Sequence, residues 1–125
     1  MKRLLLLAAF AVACNRGEQP QTATTSSAPA VAPNVAQGKQ LIVQYGCNVC
    51  HVVPGIDGPQ GSLGPTLAGI ATRPMLSNGT VQNTPANLAR FVQTPQALNP
   101  QSSMPPIGLS DADAEAIAAY LQTLR

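Results

Sequence analysis

The chain has no tryptophan and only two phenylalanines and two tyrosines. Aromatic side chains bring the largest apolar areas to a core. At 125 residues there is room for one small domain, and a small domain is marginal on apolar side chains alone. Charge is also scarce, at 10% Asp, Glu, Lys and Arg. Without the first thirteen residues, which hold Lys2 and Arg3, five basic and five acidic residues remain. That balance, with no basic patch or charge run, excludes a nucleic-acid binder. It also excludes strong long-range steering, so docking to partners is expected to rest on apolar contact. The apolar run Leu4 to Ala13 has ten residues, too few to span a bilayer, which takes about 20. The one histidine is His51 and the three cysteines are Cys14, Cys47 and Cys50. With Cys14 far upstream, a four-ligand structural zinc site is not available.

Against these absences stands Cys47-Asn48-Val49-Cys50-His51. C-x-x-C-H is the attachment signal for a c-type haem. Two thiols add across the two vinyl groups of one haem, and the adjacent imidazole ligates the iron. In a helical turn, Cys50 and His51 lie three and four positions after Cys47, on one side. A thioredoxin-like pair also uses C-x-x-C but sits beside a βαβ pattern, and no β-rich run occurs nearby. A haem would also supply the flat apolar body that the side chains lack.

Met1-Lys2-Arg3 followed by Leu4 to Ala13 reads as a secretory signal over residues 1–13. Ala11-Val12-Ala13 reads as an ordinary cleavage site. With Cys14 it also resembles a bacterial lipobox, in which Cys14 becomes the lipidated N-terminus; Ala11 stands where Leu is usual. An uncleaved anchor is the third reading. Each of the first two exports the chain, as c-type haem attachment requires. Residues 14–34 are rich in Pro, Ala, Thr, Ser and Gln and read as a disordered tether. About 20 such residues reach roughly 25 Å.

Residues 35–125 read as the folded domain. Gly38, Leu41, Ile42 and Tyr45 recur at helical spacing and predict a helix over about 35–46. A second is expected over 86–94, between Pro85 and Pro95. The last opens with Ser110 as N-cap and Asp113 at the third position, and carries the stripe Ala114, Ile117, Ala118, Leu121, Leu124. Gly38 and the alanines would let the first and last helices cross closely. Asp111, Asp113 and Glu115 suit a helix N-terminus and need no catalytic role. Gly/Pro-rich loops lie between, and no convincing strand occurs.

Tyr45-Gly46-Cys47-Asn48-Val49-Cys50-His51, Gly64-Pro65-Thr66-Leu67, Ser103-Met104-Pro105-Pro106 and Gly108-Leu109-Ser110-Asp111 leading to Ala119-Tyr120-Leu121 resemble a monohaem class I c-type cytochrome. The resemblance covers nearly all of 35–125. It implies an all-α fold of three to four helices and long loops around one covalent haem c. More narrowly, Asn83-Thr84-Pro85-Ala86-Asn87-Leu88 and Pro95-Gln96 look like the cytochrome c domain fused to subunit II of some haem–copper oxidases. The chain departs from that relative in having no transmembrane hairpin and no copper-binding domain. It also has Phe91 where Trp is common.

The resemblance implies a sixth iron ligand from a methionine before the last helix, which is Met104; Met75 is the other candidate. A thioether ligand favours ferrous iron. Two further roles carry over. The Pro65 carbonyl would accept the Nδ1–H of His51 and fix the ring. Arg73 would meet a haem propionate, or else be a solvated loop arginine. The implied function is a one-electron carrier, not an enzyme. It would pass electrons from a quinol-oxidising complex to a terminal oxidase or reductase, as a monomer on the exported side of a membrane. The alternatives are a gas or redox sensor with labile Met104, a small haem enzyme, or an electron-passing subunit of a larger dehydrogenase. An enzyme would need a distal acid or base, and the one histidine is taken by iron.

Overall fold

The computed structural model describes residues 33–125. The signal segment, Cys14 and most of the tether lie outside the described residues. Among those described there are five α-helices, α1 (Val35–Gln44), α2 (Cys47–Cys50), α3 (Pro85–Gln93), α4 (Pro95–Leu98) and α5 (Asp111–Leu121), and two short 3-10 turns at Ile70–Thr72 and Ser77–Gly79. Two of them, α2 and α4, are single turns. The all-α expectation of a small class I cytochrome fold therefore holds, with single turns added to the longer helices. One departure is a two-residue antiparallel pair, β1 (Met75–Leu76) with β2 (Val81–Gln82), in register Met75 to Gln82 and Leu76 to Val81. Such short strands leave no alternation to read. The legible cue was Asn78-Gly79, a hairpin-turn pair: Ser77, Asn78 and Gly79 all take positive φ.

Local chemistry sets the helix ends. Asn34 caps α1, its side-chain oxygen accepting from Ala36 N–H at 2.9 Å and Gln37 N–H at 3.3 Å. The Thr84 hydroxyl accepts from Asn87 N–H at 3.1 Å, and Pro85 starts α3, where a missing N–H costs nothing. Ser110 Oγ accepts from Asp113 N–H at 3.2 Å and caps α5. The capping box is not closed, because the Asp113 carboxylate accepts from the Tyr45 hydroxyl instead, at 3.0 Å. That bond joins the end of α1 to the start of α5.

The core sits where α5 lies between α1 and α3. α5 is buried on more than the expected stripe: Ala116 and Tyr120 are buried beside Ala114, Ile117, Ala118 and Leu121. The cause is the crossing with α1. A Cβ on Gly38 would collide with the Ala116 carbonyl, so the two backbones meet at a distance only glycine permits. The Tyr120 hydroxyl donates to the Pro54 carbonyl at 2.8 Å and anchors the loop after α2. Among the described residues, no buried side-chain nitrogen or oxygen lacks a hydrogen-bond partner.

Candidate functional site

α1 delivers the chain to Gly46, whose φ of 69° turns it into α2. Cys47 and Cys50, at the two ends of this turn, are half-buried, unpaired thiols. Burial pushes the Cys47 thiol up. His51 leaves the helix with extended backbone, φ −115° and ψ 148°, while its N–H still donates to the Cys47 carbonyl at 3.0 Å. The single-turn expectation thus covers the cysteines, and His51 is the cap rather than a fifth helical residue.

A following loop closes over this turn. The Asn48 amide, buried between the cysteines, donates to the Pro59 carbonyl at 2.9 Å. Gly61 N–H donates to Asn48 O, Gly64 N–H to Cys50 O and Leu67 N–H to Val52 O, each at 2.8 Å. These bonds bring Gly64 and Pro65 beside His51. Nδ1 of His51 lies 2.7 Å from the Pro65 carbonyl. A carbonyl only accepts, so Nδ1 carries the proton and Nε2 keeps its lone pair. A Cβ on Gly64 would strike the imidazole ring, so the ring lies directly against the Gly64 backbone.

Cys47, Cys50, His51, Pro65, Arg73, Met75 and Met104 all line one cavity of about 860 Å³. Its walls include Ile42, Leu67, Ile70, Leu88, Ile117 and Leu121. The size falls in the range of cofactor sites, about 300–1,000 Å³. Arg73 is neither free nor simply solvated. Its Nη2 donates to the carbonyls of Thr66 at 2.7 Å and Ala68 at 2.8 Å, and its other N–H groups remain. Both methionines reach the cavity, and Met104 also packs against the core cluster. The titratable side chains lining the cavity are Tyr45, Cys47, Cys50, His51 and Arg73; there is no carboxylate among them. Two unpaired thiols one turn apart, an imidazole with one nitrogen free, and an apolar cavity facing a thioether fit a covalently attached haem.

The cytochrome c family model matches residues 35–125. The chain belongs to the cytochrome c family. Cytochrome c-552 of Bradyrhizobium diazoefficiens is 33% identical over 101 residues, which cover 81% of this chain and 85% of the relative. Cytochrome c oxidase subunit 2 of Alkalihalophilus pseudofirmus is 31% identical over 90 residues, covering 71% of this chain. The chain spans only 25% of that relative's length. The fold matches cytochrome c2 from Rhodobacter sphaeroides with a TM-score of 0.53 at 21% identity, over 73% of this chain and 95% of that one. It also matches the c-type cytochrome SorU from Sinorhizobium meliloti, with a TM-score of 0.51 at 21% identity, over 72% of this chain and 88% of that one. The protein is thus a monohaem class I c-type cytochrome with one covalently bound haem c, a haem-based electron carrier.

Two residues quoted above only as part of the narrower resemblance have structural roles that the sequence does not show. Asn83 donates to the carbonyls of Ile70 at 2.7 Å and Arg73 at 2.8 Å, fastening the hairpin beside the cavity. Gln96 holds the Met104 loop. Both use a long-range amide-to-backbone bond, which leaves no periodic trace.

Proposed function

We propose that this cytochrome takes electrons from a quinol-oxidising complex and delivers them to a terminal oxidase or reductase. Cys47 and Cys50 would hold the haem through thioethers, and His51 and Met104 would ligate its iron. The haem supplies a one-electron Fe(III)/Fe(II) couple. The chain's part would be to hold the His51 ring by the Pro65 carbonyl, to supply the Met104 thioether as the second ligand, and to keep water out with apolar walls. Arg73 would meet a propionate with the N–H groups that its two carbonyl partners leave over. The observation that carries the reading is that His51 and Met104, from separate segments, line one apolar cavity with no carboxylate. Acid–base catalysis at the iron would need a proton-transferring group there.

Electrons would pass at an uncharged face. Val49, Val52 and Leu63 are three of the five large apolar side chains that the described residues expose, and Leu63 is 87% exposed at the cavity rim. The hydrogen bonds between 48–52 and 61–67 put them on neighbouring strands of backbone. Apart from His51, the one ionisable charge in residues 46–72 is Asp57. The likeness to an oxidase subunit supports an oxidase as acceptor. Export follows from the leader reading, with Cys14 lipidated and residues 14–34 as the tether, and no described helix is long and apolar enough to cross a membrane. Cys14→Ala should move the protein from the membrane to the soluble fraction with its haem intact.

The test is the optical spectrum of the haem-loaded protein, oxidised and reduced, with and without carbon monoxide. A low-spin spectrum with a methionine–Fe(III) charge-transfer band, and no carbon monoxide shift, is expected. Met104→Ala should abolish the band and leave the haem attached. Persistence of the band in that variant would assign the ligand to Met75. A carbon monoxide shift in the wild type would favour a sensor.

A further inference from the structure

We propose that Gln96 is a positioning residue for the ligand loop, and that it sets how readily Met104 leaves the iron. The inference rests on Met104 being the ligand. Residues 102–107 belong to no helix or strand. Met104 is followed by Pro105 and Pro106, which have no N–H to donate. The Met104 N–H finds only the neighbouring Ser102 hydroxyl, at 3.3 Å. The Ser102 N–H donates to the carbonyl of Asn99, the residue that ends α4, at 2.9 Å; among the described residues, the side-chain hydrogen bonds that tie 102–107 to another element come from one atom. Nε2 of Gln96 donates to the Ser102 carbonyl at 2.9 Å and to the Met104 carbonyl at 2.6 Å.

This arrangement is specific to a primary amide. An NH₂ group has two hydrogens, and each meets one carbonyl. The flipped amide would set its oxygen against two carbonyl oxygens, so the orientation is determined. Gln96 itself stands on firm backbone. It follows Pro95, which is buried and opens α4 with a φ fixed by its ring. Gln93, three positions earlier, holds the far end of the same loop. Its Nε2 donates to the Leu109 carbonyl at 3.1 Å and to the Asp111 carboxylate at 2.7 Å. The two glutamines therefore divide the work: Gln93 secures the start of α5, and Gln96 secures the peptide that bears the ligand.

Losing both donors should raise the population with Met104 displaced on the order of tenfold, given two modest net bonds. The experiment uses the full-length haem-loaded protein in four variants: Met104→Ala, Gln96→Met, Gln96→Glu and Gln93→Met. Imidazole affinity of the ferric form and the methionine charge-transfer band are read in each, with thermal stability alongside. Gln96→Met keeps length and removes both donors. Gln96→Glu keeps shape and polarity, so it tests the point even if the methionine variant folds poorly. Both Gln96 variants should bind imidazole about tenfold more tightly and show a weakened band. Gln93→Met should lose comparable stability, with imidazole affinity within about twofold of wild type. Unchanged imidazole affinity in the Gln96 variants, or an equal rise in Gln93→Met, would overturn the proposal. A band that survives Met104→Ala would instead remove the ligand assignment, and this proposal with it.

Discussion

Gly64→Ala tests the packing on which the His51 side of the site depends. Gly64 has no positive φ, so alanine meets no backbone strain there. It would even gain up to about 1 kcal/mol by restricting the unfolded chain. The steric term opposes this. The added Cβ would lie 2.5 Å from Nδ1 and 2.9 Å from Nε2 of His51, where contacts settle at about 3.5–4.0 Å. Ring or loop must move by about 1 Å to restore that spacing. The ring is held at 2.7 Å by Pro65, the next residue, so moving either part lengthens that bond. Overpacking costs about 1–3 kcal/mol and the lost bond about 1 kcal/mol. The net loss is about 1–4 kcal/mol, and for a domain of about 90 residues each kcal/mol lowers Tm by about 4–8 °C. A thermal melt of the haem-loaded variant should fall by at least about 5 °C, and its reduction potential should shift because the His51 ring turns. A Tm and a potential both equal to wild type would refute the reasoning, since the ring would then have room that the structure denies it.

Two further outcomes follow from the same geometry. The Tyr45 hydroxyl is pushed up, first by its bond to the Asp113 carboxylate and then by burial and the charge of Asp113. A raised value means the bond contributes fully below about pH 10, the ordinary tyrosine range, and is lost as pH rises through the folded-state value. Burial pushes Tyr120 up as well. Denaturant melts of Tyr45→Phe should therefore fall less steeply above about pH 10 than wild type, with the Tyr120 share remaining; identical slopes would remove Tyr45 from the account. Leu63→Glu should slow electron transfer to partner membranes and make it depend on salt, where the wild-type rate varies little with ionic strength. A steep salt dependence in the wild type would show that charge, not the Val49, Val52 and Leu63 face, guides docking.

Much of this protein was legible before any fold was drawn, because its chemistry is local. Cys47, Cys50 and His51 lie within five residues, so their spacing alone specifies the attachment of one haem. Helix ends were readable in part: Ser110 caps the last helix as expected and Pro85 marks the start of α3, whereas the Asn34 and Thr84 caps came only with the structure. Gly38 and the alanines of the last helix announced a close crossing. What they could not say is that Ala116 is the residue met there, because that depends on the relative rotation of two helices 78 positions apart.

The remainder was decided by bonds between distant segments. Asp113 reads as a capping acid, yet its carboxylate is taken by Tyr45, 68 residues away. Arg73 reads as a propionate partner or a solvated charge, and the loop adds what neither reading contained, the Thr66 and Ala68 carbonyls on its Nη2. Gln96 belongs to the Pro95-Gln96 pair of the narrower resemblance, yet its role leaves no trace there, because an amide that serves two loop carbonyls obeys no period. The sequence by itself determined which cofactor is attached and by which residues near Cys47. The tertiary structure decided what surrounds it, since only the folded chain brings the 61–67 loop, the hairpin and the 102–107 loop to one apolar cavity.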